Sequence, residues 1–531
     1  MLEYCPNAEQ LAVHADVEIG RGHTVVSARA GTGKTRTLVS VLSKVPERDK
    51  TLFVAFNADI AKTIAKRVPS GRDNLEVKTL HALGLKACGR AFGGVEVDKD
   101  RGRRIAEEVS GADKDARLKE WSFAIRTVVT RCKNTLSRSA AAVDHVIDIL
   151  QPDHPEAPVE LLRCRLCRRW SPVLSDVVCG HQGCKGELIR EVKDDRPEFI
   201  RQVLECMDRA TYKLVPSDVG DEPERAYPTS VDFDDMCFLP VAMALKMPKF
   251  DRVFVDEAQD LNALQIQLVL GTIARGGRIC AVGDPFQSIY KFRGAAAGAI
   301  DRIVHELDAK VLPMTTTYRC GRLIAQEAAT LVPDFKAAPG MHDGCVHRDV
   351  SADRMMREAR PGDFILSRIN APLIGMCLSF MREGRRAHIL GRDLGAKLNG
   401  IVRRAKAVSI PKLREYVLKW AQQESERLLA KGESDEIVRD TQACLDALIE
   451  GCVQVYDVQA KISGLFDDVD EDTAITLSTT HKAKGMERDR VWLLRDTYLR
   501  RQNDEERNLL YVAITRAKND LFMVRGRVGE L

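Results

Sequence analysis

Two short segments of the chain carry side chains suited to chemistry on phosphate groups. The first reads Ala-Arg-Ala-Gly-Thr-Gly-Lys-Thr-Arg from Ala28 onwards and lies between an apolar run and a helical pattern. Gly31 and Gly33 let the backbone turn and approach a ligand without Cβ clashes, and the helix that follows adds a dipole favourable to anions. We predict that this loop surrounds the phosphates of a nucleotide, with Lys34 at the β- and γ-phosphates and the Thr35 hydroxyl on Mg²⁺. Ala28 replaces the glycine that usually begins the pattern, so the strict form fails at one position.

The second segment is an Asp-Glu pair at the end of an apolar run, residues 253–255. A buried strand with this ending delivers both carboxylates to the edge of a parallel sheet where ligands bind. We predict that Asp256 holds Mg²⁺ and that Glu257 orients and deprotonates an attacking water. Such a pair is common by itself. Together with the loop, it predicts a chain that hydrolyses a nucleoside triphosphate.

Length and composition are those of a soluble, multidomain protein. The chain has 531 residues, of which 44% are hydrophobic and 30% charged, which is enough for two to four domains. No apolar stretch approaches the ~20 residues of a membrane span, and the N-terminus has no basic and apolar leader. We therefore expect a cytoplasmic protein, or a nuclear one in a eukaryote. The net charge of +4 predicts that any nucleic acid would bind through a local groove and not through bulk charge.

Most of the fifteen cysteines stand singly in apolar contexts, as reduced core thiols do. Examples are Cys88, Cys206, Cys237, Cys280, Cys377 and Cys452. One group is different, because two closely spaced pairs follow one another at the spacing of a tetrahedral zinc site. These four predicted zinc ligands are Cys164, Cys167, Cys179 and Cys184.

Three other interpretations of this cysteine group stay open. They are a Cys₃His site through His181, redox chemistry and chance spacing. Arginines interleave the first pair and Trp170 follows it, which suits phosphate contacts and base stacking. A solvated arginine face is equally compatible with this pattern.

Further segments follow in a fixed order along the chain. They occupy residues 7–10, 53–57, 79–84, 232–236, 283–295, 317–320, 478–487 and 505–517. Together with the two phosphate-related segments, this series resembles the UvrD-like superfamily 1 DNA helicases, the group that includes Rep and PcrA. The resemblance covers roughly residues 5–90, 230–400 and 470–527. It implies an α/β fold with two RecA-like, parallel-sheet, P-loop motor domains, each carrying a mostly helical insertion.

The domain boundaries expected from this resemblance divide the chain into four parts. They are motor domain 1A at 1–88 and 231–298, insertion 1B at 89–230, motor domain 2A at 299–401 and 468–531, and insertion 2B at 402–467. Insertion 1B holds the cysteine group. Insertion 2B is much shorter than in typical members and reads as a few amphipathic helices.

The resemblance also implies which residues hold the nucleotide. Gln10 is expected to read the adenine edge, with Tyr318 and Arg36 stacked on its two faces. Glu487 is expected near the sugar or the metal shell. The loop residues expected to contact the nucleotide are Ala30, Gly31, Thr32, Gly33, Lys34 and Thr35.

Three further residues are expected at the reacting phosphate. Gln287 would sense the γ-phosphate, and Arg319 and Arg516 would act as arginine fingers, a role that suits the planar guanidinium. Because these residues come from both halves of the chain, ATP should lie between two sheets. Its hydrolysis would then open and close the cleft so that the halves step along a strand.

The family's contacts to single-stranded DNA map onto nine positions. They are Phe56, Asn57, His81, Tyr290, Phe292, Arg293, Asn370, Thr480 and His481. Aromatic faces stack on bases without demanding a sequence, although Phe56 and Phe292 are also compatible with plain core residues. Phe292 stands where the family usually has tryptophan. No residue decides between DNA and RNA.

The expected function is an ATP-dependent helicase that moves 3′→5′ on single-stranded DNA and acts at single-strand/duplex junctions. Two alternatives remain. The short 2B insertion is compatible with a translocating ATPase that strips proteins from DNA without unwinding it. The second alternative is a zinc-anchored nucleic-acid-binding module that uses ATP only as a switch. Polarity rests on the resemblance alone.

Overall fold

The computed structural model describes residues 5–55, 58–67, 72–113, 118–150, 160–164, 170–171, 188–192, 196–215, 224–289, 298–430, 435–466, 472–498 and 504–526. Within these residues the fold is α/β, with two six-stranded sheets and helices on their faces. This confirms the predicted fold class. No helix in the described ranges is long and apolar enough to cross a membrane.

The first part of the chain builds half of the first sheet. Its elements are α1 (Ala8–Ile19), β1 (Thr24–Ala28), α2 (Lys34–Leu42), β2 (Thr51–Val54), α3 (Ala58–Arg67), β3 (Leu75–Lys78), α4 (Leu80–Phe92) and β4 (Glu96–Val97). The central strands are continuous apolar runs because helices cover both faces of a parallel sheet. α1 begins at a capping box, in which the side chains of Asn7 and Gln10 each accept a backbone N–H of the other.

The next segment is insertion 1B. Its elements are α5 (Arg101–Ser110), α6 (Lys119–Thr135), α7 (Ala140–Leu150), β5 (Glu160–Cys164), β6 (Trp170–Ser171), β7 (Leu188–Val192), α8 (Arg196–Thr211), β8 (Lys213–Val215) and β9 (Glu224–Ala226). The helices share one hydrophobic cluster with the first sheet. Cys164 ends β5, whereas Cys167, Cys179 and Cys184 lie outside the described residues. The zinc site therefore stays a prediction.

The chain then returns to complete the first sheet. The elements are β10 (Ser230–Val231), α9 (Phe233–Ala242), β11 (Phe250–Val255), α10 (Ala263–Leu270), β12 (Ile273–Gly283), α11 (Ala299–Leu307) and β13 (Lys310–Met314). β10 pairs with β4 as a separate two-stranded sheet, and the other three strands join the first sheet. The strand order is β13-β1-β12-β11-β2-β3, and all pairs are parallel. β13 pairs with β1, so the first motor domain continues to Met314, beyond the boundary expected at residue 299.

The second half of the chain follows β13. It begins with β14 (Thr316–Thr317), α12 (Arg322–Ala329) and β15 (Lys336–Ala337), and β14 and β15 pair with each other as a separate two-stranded sheet. The elements that follow are β16 (Cys345–Ser351), α13 (Ala352–Glu358), β17 (Phe364–Ser367), α14 (Ala371–Arg382), β18 (Ala387–Ile389) and α15 (Arg392–Ala405), and, after insertion 2B, β19 (Ile475–Thr479), β20 (Arg488–Leu494), α19 (Asp504–Ile514) and β21 (Ala517–Arg525). Six of these strands form the second sheet in the order β16-β21-β20-β17-β19-β18, and all pairs are parallel.

Insertion 2B consists of α16 (Ile410–Ala430), α17 (Glu436–Ile449) and α18 (Val455–Leu465). These helices confirm the amphipathic pattern, because their apolar faces join the hydrophobic cluster of the second sheet. One polar contact also fixes α17. The Asp440 carboxylate accepts from the backbone N–H groups of Asn370 and Ala371, at 3.0 and 2.7 Å, where α14 begins. Insertion 2B is thus built onto the second motor domain through a shared core and a capped helix.

Candidate active site

A cleft of about 680 Å³ lies between the two sheets. Most of the residues predicted to hold or hydrolyse ATP line it. They are Gly31, Gly33, Lys34, Thr35, Arg36, Asp256, Glu257, Gln287, Tyr318, Arg319, Glu487 and Arg516. Five further lining residues were not predicted. They are Ile60, Ile64, Asp260, Lys484 and Gly485.

The phosphate loop, residues 29–33, connects β1 to α2, which begins at Lys34. Gly31 has a positive φ of 69°. A Cβ at this position would lie 2.4 Å from Thr317 Oγ1 and 2.5 Å from Arg319 Cβ, so a larger residue would collide with the second half of the chain. The Gly31 carbonyl accepts from Tyr318 N–H at 2.8 Å. The loop is therefore positioned by direct contact with the segment that carries Tyr318 and Arg319.

Three predicted contacts are buried and do not line the cleft: Gln10, behind the loop, and Ala30 and Thr32, within it, are 3%, 0% and 1% exposed. Gln10 Nε2 donates to the Thr32 carbonyl at 3.0 Å, and its Oε1 accepts from Asn7 N–H at 3.0 Å. Both ends of this amide therefore stabilise the loop and α1. The reading of adenine by Gln10 stays a prediction and would require exchange of these bonds.

Tyr318 and Arg36 lie at the exposed side of the cleft. Tyr318 is 44% exposed, and Arg36 is exposed as well. An aromatic face and a guanidinium plane at the mouth of a pocket suit the stacking of a planar base. The stacking role predicted for this pair therefore fits their placement.

The predicted metal ligands lie side by side. Thr35 Oγ1 donates to Asp256 Oδ2 at 2.7 Å, across the edge of the sheet from α2 to β11. Burial, with the nearby charge of Glu257, raises the pKa of Asp256 to about 6. A hydroxyl and a carboxylate are the hard oxygen donors that Mg²⁺ prefers, and a buried carboxylate is stabilised in its charged form by a cation. This pair therefore fits a magnesium ion, which would supply positive charge beside the phosphates.

Glu257 has the backbone geometry of a residue held for function. Its φ of 53° is in the left-handed region, which costs a non-glycine residue energy and recurs at active sites. Burial alone would raise the pKa of its carboxyl group, but the charges of Lys34 and Lys484 keep that pKa below the usual value. Gln259 Nε2 donates to Glu257 Oε2 at 2.5 Å. The carboxylate is thus ionised and oriented, as a proton acceptor must be.

A buried hydrogen-bond network extends from this carboxylate. Gln259 Oε1 accepts from Asp284 N–H at 2.9 Å. Asp284 Oδ2 accepts from Gln287 Nε2 at 2.7 Å and from the Tyr511 hydroxyl at 3.3 Å. The same hydroxyl accepts from Ala30 N–H at 2.9 Å. The predicted base, the predicted γ-phosphate sensor and the phosphate loop are therefore connected, through Tyr511, to helix α19 of the second motor domain.

The two predicted arginine fingers lie next to each other on the second-sheet side. Arg516 is 1% exposed, and its guanidinium donates to the carbonyls of Val512 and Met486 at 2.9 and 3.0 Å. Burial, together with the charge of Arg319, lowers the pKa of Arg516 to about 9. Arg319 is paired with Glu487, with 2.5 Å between Nε and Oε2. Two adjacent guanidinium groups at the wall of a buried cleft favour a polyanion between the sheets.

Two further contacts join the first and second halves of the chain, through residues that the sequence did not predict. Lys484 Nζ donates to Asp260 Oδ2 and to the Gln287 carbonyl, both at 2.7 Å. Arg29 forms a bidentate pair with Asp334 at 2.9 and 2.7 Å. A signal for Lys484 was available, since it lies three positions before Glu487 in a segment already singled out. The same signal was available for Tyr511, which lies five positions before Arg516 in the segment 505–517.

The predicted DNA contacts are only partly described. Phe56, Asn57, Tyr290, Phe292 and Arg293 lie outside the described residues. The other four are His81, Asn370, Thr480 and His481.

The described contacts differ in their accessibility. His81 is half-buried beside Phe233, with 6.1 Å between ring centroids, and burial lowers its pKa. Asn370 Nδ2 donates to Asp440 Oδ2 at 2.9 Å. Thr480 is 0% exposed, and its hydroxyl is bonded to that of Tyr498. A DNA contact by Thr480 would therefore have to use its backbone, and the DNA roles of all these residues stay predictions.

The two sheets and their shared cleft place this chain in the class of P-loop proteins with two RecA-like domains. Comparison with protein families matches residues 7–308 to the UvrD/REP helicase N-terminal domain. Residues 474–524 match the UvrD-like helicase C-terminal domain. Since the first match covers more than half of the chain, this protein belongs to the UvrD/REP helicase family.

Individual relatives agree with this membership. The chain is 25% identical to F-box DNA helicase protein 1 of Schizosaccharomyces pombe over 545 residues, which covers 94% of this chain and 55% of the relative. It is 24% identical to F-box DNA helicase 1 of Gallus gallus over 546 residues, or 95% of this chain and 48% of the relative. A shorter segment of 112 residues, 19% of this chain, is 32% identical to 15% of the ATP-dependent DNA helicase PcrA of Bacillus subtilis. The chain spans about half the length of the first two relatives.

Proposed function

We propose that this protein is a Mg²⁺-dependent ATPase that translocates 3′→5′ on single-stranded DNA and unwinds duplex DNA at single-strand/duplex junctions. The observation that carries the proposal is the network from Glu257 through Gln259 and Asp284 to Tyr511 and the phosphate loop. It connects the predicted base, which follows β11 of the first sheet, to Tyr511 in helix α19 of the second motor domain. A change at the reacting phosphate would therefore alter the contact between the two halves.

The residues of this chain supply the steps of hydrolysis. Lys34, Arg319 and Arg516 would bind the phosphates and offset the negative charge that develops as the terminal phosphoryl group departs. Glu257 would accept a proton from the attacking water, because its carboxylate is ionised and held by Gln259. Product release would then remove the anion between the two guanidinium groups. The halves would separate, and their grip on the strand would alternate.

DNA as the substrate is supported by the family and by the relatives, which are named as DNA helicases. The 3′→5′ direction is inferred from the resemblance to UvrD-like helicases. The test uses matched duplexes with a 3′ or a 5′ single-stranded tail, with ATP and Mg²⁺ at low salt. Unwinding of the 3′-tailed duplex alone is the expected result. Preferential unwinding of the 5′-tailed duplex would contradict the polarity.

One observation favours a second candidate, a translocase that removes proteins from single strands without unwinding. Insertion 2B is short and shares its hydrophobic cluster with the second motor domain, so it offers little separate surface for gripping a duplex. Displacement of streptavidin from a biotinylated single strand, with no unwinding of either tailed duplex, would support this candidate. A Lys34→Ala variant is the control for both assays, because it should lose ATP-dependent activity while keeping its fold.

A further inference from the structure

We propose that Cys345, His347 and Asp520 form a zinc-binding site on the outer edge of the second sheet. The ligand atoms of these three residues lie within 4.8 Å of one another. None of the three lines the cleft between the sheets. The proposal is therefore independent of the proposed function and of the predicted cysteine site in insertion 1B.

The register of the sheet explains why these side chains meet. β16 is the outermost strand and pairs with β21 in parallel, with Cys345 opposite Asp520 and His347 opposite Phe522. Side chains two residues apart on a strand point to the same face, and directly paired residues share that face. A thiol, an imidazole and a carboxylate are thus brought to one side of one strand pair.

The backbone before β16 holds this register. Gly344 has a φ of 67°, and a Cβ at this position would lie 2.9 Å from the Asn519 carbonyl and 3.2 Å from Gly321 Cα. Only glycine therefore fits between β21 and the start of α12. This close approach fixes Cys345 beside Asp520, which follows Asn519.

The imidazole is also held in place. The His347 ring is stacked on Phe522, with 4.3 Å between centroids and 8° between planes. Phe522 is stacked in turn on Trp492, at 3.8 Å and 15°. This stack limits the rotation of His347 while its edge nitrogens remain available, which lowers the entropic cost of ligating a metal.

The sulfur, nitrogen and oxygen atoms that would bind the metal are not held by other side chains of the described residues. Among the residues that the structure describes, no side-chain hydrogen bond or ion pair involves Cys345, His347 or Asp520. Arg490 is the neighbour of Asp520 in β20, but its guanidinium is paired with Asp363 at 3.3 Å. Cys345 is exposed, and His347 and Asp520 are half-buried. Water can therefore deliver an ion to the site and fill a fourth position.

The ligand set favours a transition metal such as zinc over Mg²⁺ or Ca²⁺. Sulfur, nitrogen and oxygen donors together suit Zn²⁺, whereas Mg²⁺ and Ca²⁺ take oxygen ligands. Tetrahedral zinc requires ligand atoms about 3.5 Å apart, so modest rotations of the exposed side chains would close the site. Three protein ligands and one water are the coordination expected here.

The test measures zinc and cobalt binding by the full chain. Protein stripped with a chelator is reloaded, and bound zinc is counted by a colorimetric chelator after protein denaturation. Cys345→Ser and His347→Ala should each bind one zinc fewer per chain than the unaltered protein, or bind the ion at least about tenfold more weakly. In the cobalt-loaded protein, the absorption band from thiolate to cobalt should fall in Cys345→Ser.

The control is Cys5→Ser, which removes another exposed thiol. It should keep the full zinc content and the full cobalt band. Equal zinc content in Cys345→Ser, His347→Ala and the unaltered protein would overturn the proposal. An equal loss in Cys5→Ser would overturn it as well, because the binding would then belong to exposed thiols in general. Any zinc bound by the predicted cysteine group of insertion 1B is common to all these variants and cancels in the comparison.

Discussion

Removal of a single hydroxyl group, in Tyr511→Phe, should uncouple the phosphate loop from the second motor domain. Tyr511 is fully buried. Its hydroxyl accepts from Ala30 N–H at 2.9 Å and donates to Asp284 Oδ2 at 3.3 Å. Phenylalanine keeps the ring and its packing against Phe335, whose centroid lies 5.6 Å away. The variant therefore removes the two hydrogen bonds and little else.

The expected loss of activity follows from the backbone N–H of Ala30, which the substitution leaves without an acceptor. A buried N–H without an acceptor costs about 1–3 kcal/mol, and in this variant the unpaired group is that of Ala30. Ala30 and Tyr511 belong to different motor domains, so the cost falls on the closed arrangement that assembles the site. A coupling of about 1–3 kcal/mol corresponds to a change of roughly 5–150-fold. We expect kcat/KM for ATP to fall by this factor.

The assay is ATP hydrolysis over a range of ATP concentrations, together with nucleotide binding in the absence of DNA. Tyr498→Phe is the matched control, since Tyr498 is also buried but its hydroxyl is bonded to Thr480, inside the second motor domain. It should lower the free energy of unfolding without changing nucleotide affinity in the absence of DNA. Equal kinetic effects of the two substitutions would refute the role of Tyr511. An unchanged kcat/KM in Tyr511→Phe would refute it too.

Three further substitutions test other parts of the site. Glu257→Gln should keep ATP binding but lower turnover by roughly 10²–10⁴-fold, and normal hydrolysis would show that Glu257 is not the base. Folding raises the pKa of Asp256 from 3.8 to about 6. Between these two values the Asp256 carboxyl group stays protonated in the folded protein but is ionised in the unfolded chain. The free energy of unfolding should therefore fall as the pH rises from about 4 to about 6. The Asp256→Asn variant lacks this carboxyl group, so its free energy of unfolding should rise relative to that of the unaltered protein by up to about 3 kcal/mol between about pH 4 and about pH 7. Urea denaturation at several pH values measures this, and a difference that does not change with pH would contradict the prediction. Asp440→Ala removes an acceptor for the first N–H groups of α14 and should cost about 1–3 kcal/mol in urea unfolding, whereas a neutral result would mean that water replaces the carboxylate.

Much of the site could be predicted because its chemistry is local in the chain. The loop around Gly31 and Lys34 and the pair Asp256-Glu257 each follow an apolar strand, and strands of a parallel sheet present their carboxyl ends at one edge. Adjacent strands of the observed sheet place β12 between β1 and β11, so both segments reach the same cleft. The amphipathic helices of insertion 2B were predictable for the same reason, since a helical period needs only neighbouring residues.

The sequence by itself therefore predicted the α/β fold class, the two segments that meet at the cleft and the helices of insertion 2B. Only the tertiary structure decided that Gln10 lies behind the loop, that Tyr511 and Lys484 connect the two sheets, and that β13 extends the first motor domain to Met314. The physical reason is the distance along the chain: Tyr511 and Ala30 are separated by 481 positions. Contacts of this kind depend on strand order and on how the two halves pack, and no local periodicity or propensity encodes either of them.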